Sequence, residues 1–338
     1  MSRAALAAGT ALLLAATSTA NATSPSGPRL AFQVLNRAAE SLEIETASDS
    51  GGQRRSVAGG SRRTVKPLPE FGFAPSWSPD GSSFVFGAHT GQGLRLFMAS
   101  GEGGRPRVIP RTRGAFAPVF APDGRTIAFA RARIRSHIGV PKHGQPNISS
   151  YASATTWTIG VDGSRPRRLT PWRNGLEIVP SSFSPDGAVI ASSRYDEGGD
   201  RFYDAITVHA DGSGSALLAA NALYPALSPD GSQVALIAYL PNVRPRLGRY
   251  GFYRGGLTVM RSDGTSSRLL TRTTFYEQSP PSWDPSGERL AYAHRTSVMQ
   301  INADGSCRHK LFAGTTELLY FGPSWQPGVG REAGRIAC

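Results

Sequence analysis

The sequence predicts an all-β chain, a six-bladed β-propeller of four-stranded antiparallel blades. Three observations predict it. A Pro-containing turn recurs six times behind an aromatic or apolar residue, a second Asp-Gly turn recurs between these copies, and the uninterrupted copies repeat at a blade-like period.

The first turn appears as WSPDG (77–81), FAPDG (120–124), FSPDG (183–187), LSPDG (227–231) and WDPSG (283–287), with a shorter WQPG at 325–328. Pro fixes φ for a tight turn, Asp tolerates the next conformation and Gly accepts positive φ, so two antiparallel strands can be joined closely. Short apolar runs follow, such as Phe84 to Phe86, Ile127 to Phe129 and Val234 to Leu236, and read as buried strands. A third strand then leads to the second turn, VDGS (161–164), ADGS (210–213), SDGT (262–265) or ADGS (303–306), and a fourth, outer strand comes after it.

Asp80 to Asp123 spans 43 residues and Asp186 to Asp230 spans 44, against ~40–45 for one blade. Two intervals are longer, which places insertions at Arg131 to Ala154 and at Tyr239 to Gly256. These are expected as long loops. The N-terminal stretch, Arg29 to about Val57, lacks a first strand, and the orphan segment Pro323 to Pro327 can supply it. Both chain ends then share one blade, which hides strand edges. Trp77, Trp283 and Trp325 share one repeat position and are expected to pack between blades.

These motifs resemble the TolB-type, WD-repeat-like propeller family over nearly the whole chain past the N-terminus. The resemblance implies the fold and little about activity, since the repeat occurs in many unrelated proteins. TolB itself carries a further α/β domain ahead of its propeller. The resemblance is to the repeat, not to TolB.

Residues 1–22 read as a signal peptide: Arg3, an apolar run from Ala4 to Ala16, and small residues at Ala20 and Ala22. Residues 23–338 are then one propeller domain with a C-terminal tail at 329–338. A secreted or cell-envelope location in a bacterium, periplasmic or extracellular, is expected. The alternative reading is an uncleaved membrane anchor, for which the apolar segment is short, and no stretch past it could span a bilayer. The two cysteines, Cys307 and Cys338, are expected to form a disulfide pinning the tail.

The formal net charge is +13, and nearly all the basic residues are Arg. Export argues against a nucleic-acid partner, and the charge favours acidic ones. The two insertions hold much of the excess. The first carries Arg131, Arg133, Arg135 and Lys142; the second carries Arg244, Arg246, Arg249 and Arg254 among Tyr250, Phe252 and Tyr253. Neither contains an acid. Arg beside Tyr grips carboxylates and phosphates by forked hydrogen bonds and stacking. Arg131, Arg133, Arg135, Arg244, Arg246, Arg249, Tyr250, Tyr253 and Arg254 are therefore the candidate binding residues. Between the insertions lie Asp196, Glu197, Asp200 and Asp204, which the flanking arginines could instead neutralise.

No G-x-S-x-G nucleophile turn occurs. The six His do not share a repeat position and lack metal-ligand spacing. No catalytic residue, metal site or cofactor is expected. The leading reading is a non-catalytic, monomeric exported propeller that binds a protein or an anionic cell-envelope polymer through its insertion-bearing face. The alternative is a metal-dependent lyase or hydrolase acting on an acidic glycan.

Overall fold

In the computed structural model, residues 29–36, 41–61, 74–90, 93–142, 145–196, 203–239, 254–274, 279–315, 318–328 and 335–338 are described. They form strands joined by turns, and among them no helix occurs. The signal peptide expected at 1–22 lies outside these residues.

The N-terminal sheet holds β1 (Arg29–Asn36), β2 (Ser41–Ser48) and β3 (Arg55–Ser61). Its fourth strand comes from the other end of the sequence, β24 (Leu318–Trp325), giving the order β24-β1-β2-β3. Leu30 registers with Trp325 and Val34 with Tyr320. The sheet of β4 (Ser76–Trp77), β5 (Ser83–Thr90), β6 (Gly93–Ser100) and β7 (Arg107–Val108) runs in chain order. So do β16 (Ala222–Leu227), β17 (Gln233–Tyr239), β18 (Arg254–Arg261) and β19 (Arg268–Thr274). A further sheet holds β20 (Ser282–Trp283), β21 (Arg289–His294), β22 (Ser297–Asn302) and β23 (His309–Phe312).

The remaining strands form one eight-stranded sheet. It contains β8 (Ala115–Phe120), β9 (Thr126–Lys142), β10 (Gln145–Gly160) and β11 (Arg167–Arg168), then β12 (Leu176–Phe183), β13 (Val189–Asp196), β14 (Tyr203–His209) and β15 (Ser215–Ala220). The two antiparallel runs touch through a parallel step of one residue pair, Ala154 with Glu177.

Local chemistry explains the turns. In SPDG the Ser78 N–H donates to the Ser83 carbonyl at 2.8 Å, and the Ser83 N–H donates back to the Ser78 hydroxyl at 3.1 Å. Ser184 with Val189 and Ser228 with Gln233 repeat this pairing. The Asp carboxylate accepts the N–H two residues on, as Asp230 does from Ser232. Gly231 needs its glycine twice over: its φ is +72°, and a Cβ there would lie 3.1 Å from Cδ of Pro185 in the preceding turn.

The core lies between neighbouring sheets. Ile237, Leu257 and Val259 meet Trp283, Leu290 and Tyr292. Leu30, Phe32 and Tyr320 meet Ala291, Val298 and Phe312. Ile44 and Val57 meet Trp77, Phe84 and Phe86. Packing runs in sequence from β3 against β6, through β5 against β8, β13 against β16 and β16 against β20, to β21 against β24.

Hydrogen bonds repeat at these junctions. Phe120 donates its N–H to the Ser76 hydroxyl at 2.9 Å, Leu227 to Ser182 at 3.0 Å and Trp325 to Ser282 at 3.0 Å. The expected packing role of the tryptophans carries a polar component as well. The Trp77 indole donates to the Ser324 carbonyl at 3.0 Å and the Trp283 indole to the Ala226 carbonyl at 2.8 Å.

Cys307 and Cys338 are joined by a disulfide, with Cα atoms 4.9 Å apart. The tail is held beside it. Ile336 donates its N–H to the Asn302 side-chain oxygen at 2.9 Å and accepts from the Asn302 amide at 3.0 Å, while Arg335 pairs with Asp304.

The first insertion differs from the expected loop. Residues 131–154 continue β9 and β10 as a hairpin, with paired residues from Thr126↔Gly160 out to Lys142↔Gln145. The alternation Arg131, Ala132, Arg133, Ile134, Arg135 has the two-residue period of a strand, and backbone pairing with β10 satisfies it.

Candidate functional site

Many arginines are structural. On outer strands Arg55 donates to the Gly101 carbonyl at 3.0 Å, Arg107 to Val161 at 3.4 Å and Arg268 to Ala303 at 2.6 Å; Arg167 donates to the Asp211 carbonyl. Each reaches the second-turn region of the next four-stranded run. A basic residue after the Asp-Gly turn thus fastens one run to its neighbour.

Arg131 and Arg133 are placed differently. They stand two residues apart on β9, opposite Thr155 and Ser153 of β10, so both belong to one side of the hairpin, roughly 7 Å apart. The Arg131 guanidinium lies 4.3 Å from the Trp157 ring centre and 5.4 Å from that of Phe129. One of its nitrogens donates to the Arg111 carbonyl at 2.6 Å, and its buried Nε has no partner among the described residues. Burial draws the Arg131 pKa below its ordinary value, yet an arginine stays cationic at neutral pH. The exposed Arg133 guanidinium stacks 4.0 Å from the Trp172 ring centre. Among the described residues neither arginine has a carboxylate partner.

Arg173, next to Trp172, pairs instead with Asp196, and Arg194 pairs with the fully buried Asp204. The Asp204 carboxylate also accepts the Asn221 N–H at 3.2 Å. Of the acids between the insertions, the described Asp196 and Asp204 thus have Arg173 and Arg194 as partners. Beyond them Tyr195, Tyr203 and Tyr239 form a row with successive ring centres 5.3 Å apart, the first pair tilted and the second stacked. Tyr224 has its phenol pushed well above the ordinary range, first by burial and then by Tyr203 and Glu177.

Of the residues singled out from sequence, the structure brings Arg131 and Arg133 together. Arg135 follows on β9 opposite Tyr151, and Arg254 opens β18 opposite Thr274. Arg244, Arg246, Arg249, Tyr250 and Tyr253 lie outside the described residues, as do Glu197 and Asp200. Sequence reasoning missed Trp157 as a partner and gives Trp172, in the link after Thr170, only as a weak candidate for contact. Trp157 is legible as the residue opposite Phe129 only once the hairpin register is known. No group of three or more His, Cys, Asp or Glu is placed to hold a metal among the described residues.

No protein-family model matches the chain, and no curated protein matches it. Solved structures do. TolB from Acinetobacter baumannii aligns with a TM-score of 0.68 at 19% identity, over 89% of this chain and 67% of that one. A putative TolB from Agrobacterium tumefaciens gives 0.55 at 17% identity, over 89% and 99%. A chain of a nidogen/laminin complex gives 0.61 at 14%, over 89% and 98%. The fold is a TolB-like β-propeller. On this propeller the SPDG and DGS turns share one end of the strands, while the β9–β10 hairpin extends from the other. The Arg131–Trp157 and Arg133–Trp172 pairs sit at the root of that hairpin. Among the described residues of the propeller, no helix is long and apolar enough to cross a membrane.

Proposed function

We propose that the chain is an exported, non-catalytic binding propeller that recognises a protein or an anionic cell-envelope polymer through its hairpin-bearing face. In this reading residues 23–338 form a monomeric, six-bladed ring whose N-terminal blade is completed by β24. The junction contacts from β3·β6 round to β21·β24 support the ring, and so does the β1–β24 register. A disulfide supports an oxidising compartment. A propeller neighbour found in a nidogen/laminin complex supports a protein as one class of partner.

The observation that carries the reading is the state of Arg131 and Arg133. Their guanidiniums rest on indole faces, which fixes their orientation, and their charge is not neutralised by a carboxylate among the described residues. Stacked, pre-oriented arginines lose little freedom on gripping a carboxylate or phosphate. Arg135, Arg244, Arg246, Arg249, Tyr250, Tyr253 and Arg254 extend the same face in the proposed site.

The test is retention on immobilised polygalacturonate and on polyphosphate at physiological salt. Arg131→Ala with Arg133→Ala should weaken retention at least about tenfold, or about 1.4 kcal/mol. Arg107→Ala, which removes charge from an outer strand, should leave retention nearly unchanged. Equal losses for both variants would reduce the effect to net charge. Stoichiometric transition metal in the purified protein, together with cleavage of polygalacturonate, would replace this reading with a metal-dependent lyase or hydrolase of acidic glycans.

A further inference from the structure

Arg54 and Arg308 occupy the same position in the repeat. Each stands three residues after the glycine of the turn before an outer strand, Gly51 or Gly305, and directly after a residue at positive φ, Gln53 or Cys307. Each also reaches a side chain of the adjoining sheet. The Arg54 guanidinium lies 5.3 Å from the Phe312 ring centre, beside Phe32 and Tyr320, and donates to the Glu45 carboxylate at 2.8 and 2.6 Å. Arg308 donates to the Thr271 hydroxyl at 2.9 Å. Glu45 is opposite Phe32 in the β1–β2 register. Leu30 pairs with Trp325 as Leu290 pairs with Trp283, so Tyr292 corresponds to Phe32, and Met299, opposite Tyr292, corresponds to Glu45. The arginine recurs and its acid does not.

The surroundings of Arg308 form a cleft between β19 and β23. Directly opposed residues share a side of a sheet, and alternate residues along a strand return to it. Tyr292, Met299 and Lys310 are opposed across β21, β22 and β23, and His294 lies two residues beyond Tyr292. That side faces the β16–β19 sheet, because Tyr292 and Met299 pack against Ile237, Leu257 and Val259, and Thr271 is opposite Leu257. Arg308 and Lys310 are exposed at the mouth, whereas Tyr292 is 1% exposed at the floor. The Tyr292 hydroxyl lies near Arg308 and Thr271 but is buried without a hydrogen bond of ordinary geometry. Burial pushes its pKa up to about 12, so it remains a proton donor. Burial, and then Arg295, Arg308 and Lys310, hold the His294 pKa below its ordinary value. Among the described residues neither Arg308 nor Lys310 has a carboxylate partner.

We infer that this cleft binds a phosphate group, gripped by Arg308 and Lys310 at the mouth and by the Tyr292 hydroxyl at the floor. A buried hydroxyl in a folded chain calls for a partner, and two cations without a carboxylate beside it select an anion. Arg308 and Lys310 stand two residues apart on one strand, roughly 7 Å, a span that their long side chains close around one tetrahedral group. Phosphate carries nearly two charges at neutral pH and presents oxygens in several directions, which matches donors from separate strands. A planar carboxylate is satisfied by a single guanidinium fork and would leave Lys310 and the phenol unused. This cleft is separate from the hairpin arginines, and the inference does not rest on the function proposed for them.

The experiment is calorimetric titration of the full chain with inorganic phosphate and, separately, with glycerol 3-phosphate. The native chain should bind at a single site. Arg308→Gln with Lys310→Gln should weaken binding at least about tenfold, while Arg107→Ala, and Arg131→Ala with Arg133→Ala, should leave it nearly native. Retention on polygalacturonate should ignore the Arg308 and Lys310 changes, so this site and the hairpin site fail separately. Tyr292→Phe keeps the packing volume and removes the hydroxyl. It should weaken phosphate about threefold and leave the urea midpoint of the phosphate-free chain at or above the native one. Tighter binding of the ester would make the group one carried on a larger molecule, and tighter binding of inorganic phosphate would make it the free ion. Three outcomes overturn the inference. The first is no heat of binding from the native chain with either probe. The second is binding that survives loss of Arg308 and Lys310, or that falls as much with Arg107→Ala. The third is a Tyr292→Phe chain that is less stable and binds phosphate normally, which would make the phenol part of the scaffold.

Discussion

The backbone N–H of Trp325 donates to the hydroxyl of Ser282 at 3.0 Å, joining the strand that completes the N-terminal sheet to the sheet before it. The same bond links Phe120 to Ser76 and Leu227 to Ser182. Ser282→Ala should lower unfolding free energy by about 1–3 kcal/mol, because an N–H on a buried strand loses its partner and the methyl group offers none. Urea unfolding at neutral pH measures it. Ser215→Ala, on an exposed outer strand, should change little and serves as the reference.

The disulfide closes a segment whose ends are 31 residues apart in sequence. Cys307→Ser should cost about 3–4 kcal/mol by restoring chain freedom to the unfolded state. Cys338→Ser and reduction of the native chain should each give the same loss, and combining them should add nothing. Denaturant curves with and without reductant read this directly. The contacts of Arg335 and Ile336 with Asp304 and Asn302 are made by the same tail and should loosen with it.

The turn aspartates should contribute to the loss of stability in acid. Hydrogen bonds from Ser78 and Ser82 hold the Asp80 carboxyl below its usual pKa, bonds from Ser184 and Ala188 do so for Asp186, and bonds from Ser228 and Ser232 for Asp230. A carboxyl whose folded pKa is depressed stabilises fully above its unfolded value and loses that contribution as pH falls through the folded one. The urea midpoint should therefore stay level down to about pH 5 and drop below about pH 4. Asp186→Asn should lower the neutral plateau and flatten the acid slope. An unchanged slope would assign acid unfolding to other carboxyls.

How much of this was legible from residues alone depends on range. SPDG and DGS turns are fixed by neighbours within five residues, so their positions, the strands between them and the partnership of Leu30 with Trp325 could be read before any coordinates. The arginine roles could not. Arg107 finds its carbonyl at Val161 and Arg268 at Ala303, partners in the next repeat that no local pattern names. The hairpin was legible in principle. Its polar–apolar alternation runs from Arg131 to Ile138 with one break at Ser136, but four basic residues in a long interval read as a solvated loop. Trp172 gave only a weak signal, because its partner Arg133 is placed by a register that the sequence does not state.

Stability should therefore divide the arginines into two groups. Arg268→Ala removes a bond to the Ala303 carbonyl at a junction between runs and should cost about 0.5–1.5 kcal/mol. Arg55→Ala, which also leaves Glu102 with Arg29 as its remaining arginine partner, should cost a similar amount. Arg133→Ala removes an exposed side chain from an indole face, where a cation–π contact contributes about 0.5–1 kcal/mol. Its cost should fall at or below that range, while Trp172 becomes accessible and its emission shifts to longer wavelength. Retention on polyanions should show the reverse order, with Arg133→Ala impaired and Arg268→Ala nearly native. If Arg133→Ala instead destabilised the fold as much as Arg268→Ala and left retention intact, the stacked arginines would belong to the scaffold.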